Sequence, residues 1–182
     1  IDAEMRFDVP KGEAPFAITF AEFKNKMAGA RVQRVMMQMI MASLRENIGQ
    51  TLRSVLGRPY QLQGNTPADG FDAGGLIQYV YNHVFGVSFP QNIAKQFTLV
   101  QQVTLAETMP GDILVWGSLA VPTAAGVYLG GGKYITVDML NDVVQIEAVT
   151  QSWLPDVIGS LRSSYVRSGI MIRRGRHYGH YI

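Results

Sequence analysis

Apolar residues change their period partway along this chain. Before residue 57 they recur every three or four positions: Phe20, Phe23 and Met27, then Leu44, Ile48, Leu52 and Val55. That is the spacing of helices with one buried face. No proline interrupts residues 20–56, while Gly29 and Gly49 are placed to divide the run into two or three helices. Gly57-Arg58-Pro59 ends it, because glycine suits a helix C-cap and proline cannot continue one. Residues 58–70 hold Pro59, Gly64, Asn65, Pro67, Asp69 and Gly70 and read as a loop. A further helix is predicted over residues 73–85, with Leu76, Ile77, Val80 and Val84 on one face. A short one is predicted over residues 92–97.

Beyond residue 100 the pattern becomes that of strands. Residues 103–105, Ile113-Leu114-Val115-Trp116 and Val143-Val144-Gln145-Ile146 are short runs rich in β-branched or aromatic side chains. Gly126-Val127-Tyr128-Leu129, three glycines, and Lys133-Tyr134-Ile135-Thr136-Val137 read as a hairpin. No helix follows Gly130–Gly132, so these glycines do not form a phosphate cradle. Ile170-Met171-Ile172-Arg173 is expected to be a last strand, and residues 153–165 irregular or partly helical. Helices followed by antiparallel strands predict an α+β fold, with the helix from Ala73 laid across one face of a meander sheet.

Composition narrows the function classes. The 182 residues are 47% hydrophobic and 16% charged, enough apolar content for a core. A net charge of +2 gives no case for nucleic acid. Arg162, Arg167, Arg173, Arg174 and Arg176 nevertheless gather late, as a basic tail. There is no cysteine, hence no disulfide and no cysteine-based metal site. Of the three histidines, His177 and His180 stand near the end with no carboxylate beside them, so no metal or cofactor is expected. The apolar run Val35–Met41 falls short of the ~20 residues that cross a bilayer. It is read as core or as a Met-rich partner surface.

One stretch invites chemistry. Gly70-Phe71-Asp72-Ala73-Gly74-Gly75 runs from a tight turn into the helix at Ala73, with Asp72 as N-cap. A residue at such a mouth meets unpaired N–H groups and the positive end of the helix dipole, where a thiol would ionise readily and attack a carbonyl. The residue there is alanine. Asp112 follows Pro-Gly and is read as a turn former. Tyr79, Tyr81 and Tyr128 are read as half-buried packing, Trp116 and Trp153 as core or rim, and His83 as a surface histidine.

Several motifs in order resemble the NlpC-type cell-wall peptidases, papain-like cysteine hydrolases that cut peptide bonds in peptidoglycan stems. They are Pro59-Tyr60, Gly64-Asn65-Thr66-Pro67, the stretch Gly70–Tyr81, Phe89-Pro90 with Gln96, Pro110–Trp116 and Ala125–Ile135. The resemblance covers about residues 45–175. It implies a papain-like domain over 45–175, preceded by an arm and helical extension over 1–44 and followed by the tail at 176–182. In that family a cysteine follows the aspartate, and Ala73 stands there. The family's base histidine corresponds to Ala124. The polar residue that orients it corresponds to Thr136, a poor partner for an imidazole. A second tyrosine near the nucleophile is replaced by Leu62.

A thiol hydrolase needs a thiolate, a base and an orienter for that base. The resemblance therefore implies a catalytically inactive domain, a pseudoenzyme. It would bind peptidoglycan stem peptide around Tyr60, Asp72 and Gly74, or brace a cell-envelope or phage-tail-like assembly through the Met-rich helices. The alternative is an endopeptidase whose Cys and His were exchanged for Ala73 and Ala124. Either implies the cell envelope, periplasm or exterior of a bacterium, or a phage particle, and neither calls for a transmembrane segment.

Overall fold

A computed structural model of the chain describes residues 30–161. The expectations for residues 1–29, the strand at 170–173, the late arginines, His177 and His180 lie outside those residues. The first helix, α1 (Ala30–Glu46), is followed by α2 (Ile48–Thr51) and a 3-10 turn over Leu52–Val55. The break falls at Asn47, and Gly49 sits inside α2. Only one side of this helical run meets the core: Met41, Ile48, Leu52 and Val55 are buried, while Val35, Met39 and Ile40 face outward.

The loop after Pro59 contains a two-residue pairing of β1 (Asn65–Thr66) with β2 (Gly70–Phe71), then α3 (Ala73–Val84) and α4 (Ile93–Gln96). Leu76, Ile77, Val80 and Val84 share the buried face of α3 as expected, and Tyr81 joins them.

The sheet has the order β3-β8-β4-β5-β6-β7, from β3 (Val100–Gln102), β4 (Ile113–Gly117), β5 (Pro122–Gly130), β6 (Lys133–Asp138), β7 (Val143–Ala148) and β8 (Val157–Leu161). Strands β4 to β7 form the expected meander, and all pairings are antiparallel. Two expectations are corrected. The strand placed at residues 103–105 lies at Val100–Gln102 instead, and Leu105–Glu107 is a 3-10 turn. There the Glu107 carboxylate accepts from the Thr104 amide at 2.9 Å and closes the turn, which holds its carboxyl below the usual range. The segment expected to be irregular or helical contains β8, which inserts between β3 and β4. Its sequence, Val157-Ile158-Gly159-Ser160-Leu161, is too short and mixed to display a strand period, and pairing on both edges makes the strand.

Alternation along the strands gives the sheet two apolar faces. Ile113, Val115, Ala125, Val127, Ile135 and Val137 join α3 in the main core. Leu114, Trp116, Tyr134 and Ile158 form a smaller cluster on the other face, with Ala124 and Tyr128 against it. The hairpin between β5 and β6 turns through Gly130, Gly131 and Gly132 at φ of 90°, 62° and 75°, which only glycine adopts without strain.

Candidate functional site

The site is built around the start of α3. Asp72 accepts from the Gly75 amide at 2.7 Å through Oδ1 and from the Gln63 amide at 2.8 Å through Oδ2. Its carboxylate therefore caps the helix and ties the preceding loop to it. Two loops press on the first turn. A Cβ added at Gly74 would lie 2.1 Å from the Gln91 carbonyl oxygen, and one at Gly75 1.8 Å from that of Gly64. Both glycines are there because backbone approaches backbone. The fully buried Gln96 fixes that approach: its Nε2 donates to the carbonyls of Gly74 (3.1 Å), Pro90 (2.9 Å) and Gln91 (3.3 Å). Ala73 is thus held rigidly at the helix mouth, beside amides that have no intrahelical partner.

The facing wall comes from the sheet. Thr136 pairs with Gly126 across β5 and β6, so the pleat puts Ala124, Gly126 and Thr136 on one face. The Thr136 hydroxyl donates to the Ala125 carbonyl at 2.7 Å and is buried. Ala73, Ala124 and Thr136 all line one cavity of about 590 Å³, together with Tyr60, Asp72 and Gly74. All six residues singled out in the sequence are therefore brought together. Leu62 is 67% exposed and is not part of that lining. His83 stacks on Tyr79 at 3.9 Å, also away from the cavity. Tyr81 is buried, its hydroxyl given to the Gly111 carbonyl, and Tyr128 accepts from the Gly132 amide. Both are packing residues, as expected.

Sequence reasoning missed a second set of lining residues: Tyr134, Asp138, Met139, Leu140 and Glu147. Strand register brings them there. Tyr134 and Asp138 flank Thr136 at two-residue steps on β6, and Tyr134 pairs with Glu147 across β7. Trp153 also lines the cavity, 46% exposed and stacked on Trp116 at 4.6 Å. The Tyr134 hydroxyl donates to Glu147 at 3.2 Å. Burial, with Glu147 and Asp138 nearby, pushes that hydroxyl well above the usual tyrosine range and keeps it protonated. The lining contains no thiol and no imidazole, and the described residues contain no cluster suited to a metal ion.

Comparison with known proteins agrees with this geometry. The sequence profile of the NlpC/P60 family matches residues 57–162. Gamma-DL-glutamyl hydrolase of Bacillus subtilis is 32% identical over 105 residues, 57% of this chain and 25% of that protein. Murein DD-endopeptidase MepH of Escherichia coli is 28% identical over 116 residues, 61% of this chain and 43% of that protein. The chain thus spans less than half the length of these two relatives. Among solved structures, the NlpC/p60 domain of the peptidoglycan hydrolase SagA superposes with a TM-score of 0.58 at 28% identity, covering 64% of this chain and 98% of that one. RipD of Mycobacterium tuberculosis, a non-catalytic NlpC/p60 domain protein adapted to peptidoglycan binding, superposes at 0.52 with 24% identity over 65% of this chain and 98% of that one. The helix that opens at Ala73, the sheet it faces and the profile match over most of the chain agree on one assignment: this chain belongs to the NlpC/P60 family.

Proposed function

We propose that this chain is a non-catalytic NlpC/P60 domain that binds peptide in the cavity beside Ala73, with peptidoglycan stem peptide as the ligand class. One observation carries the reading. An open cavity of about 590 Å³ persists at the helix mouth, although Ala73, Ala124 and Thr136 supply neither nucleophile, base nor orienter. Removing members of a catalytic unit abolishes its chemistry as a whole, and neighbours do not take over. Binding has no such requirement: amides at the helix start, Tyr60 and the apolar lip remain available. RipD illustrates the same fold in a binding role, and the likeness to it is one of fold.

The cell envelope, periplasm or exterior of a bacterium is the location that fits such a ligand. No helix among the described residues is long and apolar enough to cross a membrane. A second reading is an endopeptidase carried in an inactive form with alanine at the two positions; the cavity is compatible with it, and Thr136, its hydroxyl turned onto the Ala125 carbonyl, favours the first. Co-sedimentation with purified sacculi tests the proposal. The chain as written should pellet with them and release no soluble fragments, and Ala73→Trp, which fills the cavity, should stay in solution. Release of fragments by the unaltered chain, or equal pelleting of the tryptophan variant, contradicts it.

A further inference from the structure

The helix α1 is apolar on two opposite faces. Met37, Met41, Leu44 and Arg45 share the face turned to the domain, the first three against the apolar core and Arg45 onto Asp112. On the other side Val32, Val35, Met36 and Met39 recur at steps of three and four, with Ile40 along one edge. This second stripe is open: Val35 is 48% exposed, Met39 65% and Ile40 42%. Toward the end of the helix the same face continues as Ala42 and Ser43, which are small and exposed. A surface helix needs one apolar face to hold its place, so a second one calls for a second neighbour.

Bulk and charge vary along the stripe in a way that selects that neighbour. Arg31 opens one edge of the stripe and Glu46 closes the same edge. Both are exposed, and Glu46 is the only acidic residue of α1. Pairing two such helices in parallel sets Arg31 on Arg31, Val35 on Val35 and Glu46 on Glu46, like charge on like charge. Antiparallel pairing with Met39 at the two-fold axis does the opposite. Val35 and Met36 of one helix then lie over Ser43 and Ala42 of the other, and Arg31 of each lies beside Glu46 of the other. Large side chains meet small ones and cations meet anions, twice over, as a two-fold interface requires. An anionic lipid surface would use Arg31 and Arg34 but gives no role to the small residues or to Glu46.

We propose that the outer face of α1 is a self-association surface, on which two copies of this chain pair through antiparallel α1 helices. Arg45 anchors α1 to the domain, so pairing the helices joins the domains themselves. The inference does not depend on what the cavity binds. One helix face is smaller than the roughly 800 Å² per partner of a standard interface. The dimer is therefore reversible, with a dissociation constant of about 10 µM.

Sedimentation equilibrium of the full chain, from about 1 to 300 µM, reads the association directly. The mass should rise from monomer to dimer across that range. Met39→Glu sets two carboxylates against each other at the axis and should weaken association about tenfold or more. Its urea unfolding should stay that of the unaltered chain, because Met39 is exposed. Arg31→Glu and Glu46→Arg should each weaken the dimer alone. An equimolar mixture of these two variants should recover it, since only the mixed pair has opposite charges at both ends. A chain monomeric at every concentration, a dimer indifferent to Met39→Glu, or a mixture no tighter than its components overturns the inference. A monomer that co-sediments with vesicles of anionic phospholipid assigns the stripe to lipid, and one that ignores them leaves it to another protein or to residues 1–29; both results overturn self-association. If Met39→Glu fails to fold, the two charge variants and their mixture decide, because both positions are exposed.

Discussion

Arg45 of α1 forms a buried ion pair with Asp112, Nη1 to Oδ1 at 2.7 Å, across 67 residues of sequence. The same guanidinium donates to the carbonyls of Pro110 at 2.8 Å and Leu161 at 3.3 Å, and to Ser160 Oγ at 3.2 Å. Asp112 in turn accepts from the Met109 amide at 2.8 Å and shapes the turn that starts β4. One arginine thus joins α1 to the turn that precedes β4 and to the end of β8. Residue 45 lies before the matched segment at 57–162. The C-terminal half of α1 is therefore built into the core of the domain, and no break in the helix marks residue 44.

Replacing Arg45 by methionine leaves the Asp112 carboxylate buried without its partner. The expected cost is about 3–5 kcal/mol, measured by urea unfolding at neutral pH. Burial already pushes the Asp112 carboxyl above 3.8, with Arg45 and the Met109 amide pulling it back. Without Arg45 it rises further. A carboxyl whose folded pKa exceeds its unfolded value binds its proton more tightly in the fold. Its contribution is most favourable below the unfolded value and is lost as pH rises through the folded one. The stability gap between the variant and the unaltered chain should therefore narrow on acidification. A gap independent of pH contradicts the role given to Asp112.

Gly74→Ala places a methyl 2.1 Å from the Gln91 oxygen, a backbone atom that cannot swing aside. The substitution should cost about 1–3 kcal/mol by overpacking, with the loop at residues 90–91 displaced. Unchanged thermal stability would mean that this loop is held less firmly than its contacts indicate.

Gln96→Leu removes donors from three carbonyls at once. Leaving buried acceptors unpaired costs about 1–3 kcal/mol, and loosening of the turn at Ala73 should weaken peptide binding along with stability. If calorimetry finds affinity untouched in a destabilised protein, Gln96 supports the fold without positioning the cavity wall.

Restoring Ala73→Cys and Ala124→His should give a folded protein with little hydrolysis of muropeptides. Thr136 turns its hydroxyl onto the Ala125 carbonyl, so an imidazole at residue 124 finds no orienter there. Adding Thr136→His should raise the rate by about a hundredfold or more, by analogy with loss of the orienting member from a triad. Full activity in the doubly restored protein would favour the reading of an enzyme held inactive by two substitutions.

Much of this architecture was legible in order along the chain. The helix at Ala73 announced itself by its cap, its glycines and a single apolar face, and the β5–β6 hairpin by three consecutive glycines. The cavity walls at Ala73, Ala124 and Thr136 followed from motif order. β8 was hidden because a five-residue strand with Gly159 and Ser160 inside it acquires its conformation from two neighbours distant in sequence. Asp138 and Glu147 were hidden for a related reason: only the register of β6 on β7 brings the residues of these two strands onto a common wall with Thr136. Arg45 carried no local sign at all, because a charge in a helix is ordinarily solvated and only packing reveals it as buried.

The central claim is that the cavity at Ala73 binds peptide without cutting it. Backbone-amide NMR of the labelled chain, titrated with a purified stem peptide and followed by chromatography of the same sample, tests both halves together. The account predicts saturable shifts confined to Tyr60, the first turn of α3, Ala124–Thr136 and Asp138–Leu140, with the peptide recovered whole. Cleavage products that grow with protein concentration, or shifts that never saturate and avoid these residues, would contradict it.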